Sequence, residues 1–101
     1  MNNSQKKTLR AIFTVPVPSD LLWSDIESLF RALDATLKEG NGSRIRVQLN
    51  GEVSVFHRPH PEREASKGAV GSVRVFLENA GIRYGEEDNV HLQGVRRSRR
   101  S

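Results

Sequence analysis

Three histidines, His57, His60 and His91, are the side chains of this sequence best suited to exchange a proton near neutral pH. Two of them flank an arginine in the run His57-Arg58-Pro59-His60-Pro61. An imidazole can take a proton as a base and return one as an acid, so a close pair could do both. Two histidines three apart also raise the question of a metal. No cysteine exists in the chain and no convincing carboxylate partner joins the pair, so no metal and no cofactor are expected. The plainer reading is that two histidines in a proline-rich loop cap backbone groups or stack on a neighbour. His91 follows Gly85-Glu86-Glu87 in polar surroundings and reads as a surface histidine.

Phosphate chemistry is suggested by the cations. Arg44 and Arg46 alternate with Ile45 and Val47, which sets both guanidinium groups on one face of a strand. A guanidinium stays charged and offers a planar fork that suits phosphate. The same alternation also fits the solvated side of an edge strand, where charge blocks aggregation. Lys67 is a further phosphate-binding position, weaker than these. Arg96, Arg97, Arg99 and Arg100 crowd the last residues and read as a basic tail of unassigned role. Lys plus Arg number 16 against 12 Asp plus Glu, a net charge of +4 on 101 residues. That balance attracts polyanions without identifying one.

The length suits one domain with one modest core. Absence of cysteine excludes a disulfide framework and fits a cytoplasmic location. The apolar stretch after Lys6, Lys7 and Arg10 is broken by Thr14, Pro16 and Pro18, so it lacks a secretory h-region. No apolar run reaches the roughly 18 residues of a membrane span.

The elements that must position these residues follow from pattern. Residues 1–22 read as an N-terminal extension, with a short helix laid against the domain and ended by Pro16 and Pro18. Ser24-Asp25-Ile26-Glu27 has the form of a capping box, and Ile26, Leu29, Phe30 and Leu33 make one apolar stripe. A helix is predicted over residues 24–34. Thr36-Leu37-Lys38-Glu39 fits a short strand, Gly40-Asn41-Gly42 a turn, and residues 44–49 a half-buried strand. Asn50-Gly51 then signals a hairpin. A two-residue loop would set Ile45 and Val47 opposite Phe56 and Ser54. A three-residue loop with a glycine bulge would gather Ile45, Val47, Val53 and Val55 on one buried face. The second is preferred on burial. Pro59 and Pro61 take the chain out of the sheet. A closing helix carries Val70, Val73, Leu77 and Ala80, and Gly81 with Ile82 suits its end. Residues 83–101 form the tail. The expected fold is α+β, an α-β-β-β-α domain over 23–82 with both helices on one face of a three-stranded antiparallel sheet. It resembles a double-stranded-RNA-binding fold.

The closing helix reads Gly71-Ser72-Val73-Arg74-Val75-Phe76-Leu77-Glu78-Asn79-Ala80-Gly81-Ile82. It resembles the Gly-Thr-Leu-Arg-Lys-Ile-Leu-Lys-Gln-Ala-Gly-Ile helix of HicA-family toxins. The turn Gly42-Ser43-Arg44, the stretch Trp23-Ser24-Asp25-Ile26-Glu27-Ser28-Leu29 and the run from Phe56 to Pro61 are similar to a HicA subgroup with a longer N-terminus. The likeness covers roughly residues 8 to 82. It implies a ribonuclease that cleaves messenger RNA without metal, and a HicB antitoxin that silences it. In the family a histidine follows Gly-Ser, whereas position 44 here is arginine. Arginine is a poor base but can hold phosphate or its transition-state charge. The acid–base roles then fall to His57 and His60, and RNA contact to Arg44, Arg46, Arg58 and Lys67. A non-catalytic RNA-binding module of the same fold is the alternative. A protein-interaction domain with an acidic partner is a third reading.

Overall fold

The computed structural model describes residues 1–60 and 62–84. A polar, basic segment opens the chain as helix α1, Asn3–Ile12. Asn2 caps it: its side chain accepts from the Gln5 amide, and the Gln5 side chain accepts from the Asn2 amide. This reciprocal pairing satisfies two amides that the first helical turn leaves open. Leu9 and Ile12 bury one face of α1, and the helix stops ahead of Pro16.

Helix α2 spans Trp23–Ala32, strand β1 Thr36–Glu39, β2 Arg44–Leu49, β3 Glu52–His57 and helix α3 Lys67–Asn79. The sheet is antiparallel with order β1-β2-β3. Helix α2 packs on β1, α3 packs on β3, and α1 lies against both helices. The α+β, α-β-β-β-α order expected over the central residues is therefore present, preceded by α1. The tail lies almost wholly outside the described residues.

Two expectations are corrected. The capping box at Ser24 does not form. Helix α2 starts one residue earlier, with Leu22 as a cap that offers no side-chain bond. Tertiary bonds anchor this end instead: the Trp23 amide donates to Arg63 O at 3.1 Å, and Leu22 forms a bridge with Glu64. Glu27 turns inward, because it shares the buried face with Trp23, Ile26 and Phe30.

The second correction is the hairpin register. Leu49 pairs with Glu52, Val47 with Ser54, Ile45 with Phe56 and Arg44 with His57. Asn50 and Gly51 form a two-residue turn with φ of 52° and 86°. Positive φ at both central positions is the turn whose twist matches a hairpin, and Asn-Gly adopts it readily. Asn50 is further held by its side chain, which donates to Ala80 O at 2.8 Å. Area alone does not choose this register, since two buried valines rival one buried phenylalanine at roughly 1.5–3 kcal/mol each. Aromatic packing and turn geometry decide. The Phe56 ring lies 6.1 Å from Trp23, 5.8 Å from Phe30 and 5.7 Å from Phe76, each pair adding about 0.5–1.5 kcal/mol. Val53 and Val55 are left 45% and 56% exposed.

Helix α3 is capped by Ser66, whose hydroxyl accepts from the Ala69 amide. It ends as expected at Gly81 (φ 85°), with the Ile82 amide donating to Leu77 O at 2.8 Å.

Candidate nucleic-acid interface

The register determines which side chains share the open face of the sheet. Residues directly opposite one another in an antiparallel pair point the same way. Lys38 pairs with Arg46 and Arg46 with Val55, making one row across the three strands. Thr36, Gln48 and Val53 make a second, and Arg44 with His57 a third. The carboxylates of Glu39 and Glu52 lie on the other side, paired with Ile45 and Leu49. The open face thus carries Lys38, Arg44 and Arg46 without a carboxylate. Among the described residues none of these three cations joins an ion pair. Arg44 and Arg46 are exposed while Ile45 and Val47 are fully buried, as the alternation requires.

In the register first expected, His57 would share the buried face and Arg58 the open one. The observed register exchanges them. His57 rises beside Arg44, and its Nε2 lies 3.3 Å from Ser43 Oγ. The hydrogen bond from the Arg58 amide to Ser43 O, 2.6 Å, carries the ladder one step past this pair. Arg44 and His57 therefore form a non-hydrogen-bonded pair, in which Cα atoms approach to about 4.5 Å. His57 also lines a groove of about 480 Å³ between β3 and the start of α3, together with Val55, Pro59, Ser66 and Ala69.

Arg58 turns to the helix side. Its Nε donates to Glu27 Oε2 at 2.6 Å, Nη2 to Glu27 Oε1 at 3.2 Å, and Nη1 to Glu39 Oε2 at 2.7 Å. Glu27 also accepts from Trp23 Nε1 at 2.5 Å and pairs weakly with Arg31 at 3.5 Å. The hydrogen bonds from Arg58 to Glu27, and then to Glu39, push the guanidinium pKa further up, so it stays charged. Expected on the RNA-facing side, Arg58 instead has all three of its nitrogens engaged by carboxylates.

His60 is exposed, and its Nδ1 accepts from the Glu62 amide at 3.3 Å. It does not line the groove that holds His57. Lys67 is exposed in the first turn of α3. His91 lies outside the described residues. No cluster of metal-ligating side chains occurs among the described residues. No helix there is long and apolar enough to cross a membrane.

Sequence reasoning missed Lys38, Ser43, Glu27 and Glu39. Lys38 was legible from the Thr36–Glu39 alternation once that strand is paired with β2. Glu27 had a signal too: a carboxylate four residues after Trp23 and three before Phe30 sits on the apolar stripe.

A three-stranded sheet with one helix-covered face and one bare, cationic, histidine-bearing face defines a small α+β domain with an open face suited to an anionic partner. Residues 23–82, more than half of the chain, match the family model described as the HicA toxin of bacterial toxin-antitoxin systems. The chain belongs to the HicA toxin family. A toxin of such a system implies an antitoxin partner. No curated protein and no solved structure matches this chain, so the likeness to a double-stranded-RNA-binding fold has no structural match behind it.

Proposed function

We propose that this toxin is a metal-independent ribonuclease that cleaves messenger RNA on the open face of its sheet. The observation that carries the reading is the Arg44–His57 pair. Position 44 is where the family places its histidine, and the only histidine in the described strands lies directly across the ladder from it. The chemistry has moved one strand over and kept its place on the face.

In this reading the neutral His57 imidazole takes the proton of a ribose 2′-hydroxyl. The 2′-oxygen attacks the adjacent phosphorus, and the P–O5′ bond breaks. A protonated group delivers a proton to the leaving 5′-oxygen, giving a 2′,3′-cyclic phosphate and a 5′-hydroxyl. Arg44 holds the charge that grows on the phosphoryl oxygens, where a fixed guanidinium is most effective. Arg46 and Lys38 grip flanking phosphates, and Lys67 extends that track at α3. His60 is the second proton-transfer group, and its loop would have to close toward the groove when RNA binds. A HicB-like antitoxin silences the toxin by covering the same face.

Expression of the wild type beside His57→Ala, His60→Ala and the double variant, read by growth and RNA integrity, tests this. Loss of toxicity with His57→Ala supports it. Unchanged toxicity in the double variant removes both histidines from the chemistry. The second reading, a non-catalytic RNA-binding relative, is favoured by the arginine at position 44. It gains if the wild type binds RNA but never cleaves it.

A further inference from the structure

The Arg58 guanidinium is half-buried and turned away from the open sheet face, and it is the most heavily bonded cation among the described residues. Glu27 is the one charged side chain buried there. Stability alone is a weak reason for such a pair, because a largely buried ion pair is often no more stabilising than apolar side chains of equal volume. Its place in the chain does offer an explanation. Arg58 directly follows His57. Its amide bonds to Ser43 O at 2.6 Å, and its guanidinium ties the end of β3 to Glu27 of α2 and to Glu39 of β1. Three elements thus fix the residue after His57. The residue before it, Phe56, is locked among three aromatic rings. With both neighbours held, the Cβ of His57 is fixed on the open face, from which its ring reaches Ser43 and lies beside Arg44.

We infer that Arg58 and Glu27 form a positioning clamp that holds His57 in register with Ser43 and Arg44. Arg58 is then a positioning residue and makes no contact with RNA. The inference rests on the proposed role of His57, but its geometry can be tested separately.

The test uses the full 101-residue chain as wild type, Arg58→Met, Arg58→Lys and Glu27→Gln. Two readouts are taken on folded protein: the side-chain nitrogen resonances of His57 with its proximity to Ser43 by NMR, and single-turnover cleavage of an unstructured RNA with chelator present. Arg58→Met should shift the His57 resonances and abolish the Ser43 contact. Its maximal rate should fall about 10–100-fold, as misplacement by about an ångström does, while the RNA concentration for half-maximal rate changes less than about threefold. Arg58→Lys keeps charge and length but loses the fork, so it should recover part of the rate. Glu27→Gln covers the case in which Arg58→Met does not fold, and should shift the same resonances. Wild-type His57 resonances in folded Arg58→Met, or in Glu27→Gln, would overturn the clamp. So would a loss confined to RNA affinity, which would make Arg58 a direct phosphate contact. If the wild type never cleaves, the ribonuclease reading fails alone, and the resonances still decide the clamp.

Discussion

Truncating Phe56 and Val55 in parallel tests the register on which the site depends. Phe56 is 6% exposed and touches Trp23, Phe30 and Phe76 with ring centroids within about 6 Å. Phe→Ala in such a setting costs about 3–5 kcal/mol, the transfer free energy plus the cavity left behind. Val55 is 56% exposed beside Arg46, so Val55→Ala should fall within about 0.5 kcal/mol of wild type. For a domain of this size each kcal/mol moves Tm by about 4–8 °C. Phe56→Ala should therefore lower Tm by about 12–40 °C and leave the protein marginal, whereas Val55→Ala should move it by less than about 4 °C. Urea unfolding followed by Trp23 fluorescence gives both values, with similar slopes if the denatured state is unchanged. The reverse ranking, with Val55→Ala losing more than about 1.5 kcal/mol and Phe56→Ala nearly neutral, would mean the three-residue loop is formed. His57 would then be buried and Arg58 exposed, and the proposed site would not exist.

Other outcomes follow from the same geometry. Asn50→Ala puts a side chain with no amide into φ of 52° and removes the bond to Ala80 O, so it should lose roughly 1.5–3 kcal/mol by denaturant melt. RNA affinity should fall steeply with salt, and Arg46→Ala should flatten the log–log slope by about one phosphate contact. Arg44→Ala should weaken binding and cleavage together, measured by filter binding and single-turnover rate. Co-expression with an acidic HicB-like partner should restore growth, and the two should associate faster at low salt. Failure to rescue growth or recover a complex would count against that partner.

Much of the architecture was legible because periodicity reports burial. The alternation from Arg44 to Leu49 and the stripe Val70-Val73-Leu77 follow from one side of each element facing the core. The closing glycine at position 81 was legible for the same kind of local reason. The hairpin register was not. Both loop lengths bury similar apolar area, and the decision lies in Phe56 meeting rings from α2 and α3, contacts distant in sequence. Glu27 shows the same limit: its spacing from Ser24 suits a cap, but an arginine 31 residues away claims the carboxylate. The site inherits both errors, since a single-residue slip exchanges the faces of His57 and Arg58. His60 and Lys67 lie in segments set by loop conformation and helix start, where residue type alone does not fix direction.

The most direct test of the account is the cleavage rate of His57→Ala against wild type on an unstructured RNA, in chelator, under single-turnover conditions with product ends identified. The account predicts a fall of about 10²–10⁴ in rate with RNA affinity nearly unchanged, and 2′,3′-cyclic phosphate ends from the wild type. A His57→Ala protein that cleaves at the wild-type rate would contradict it.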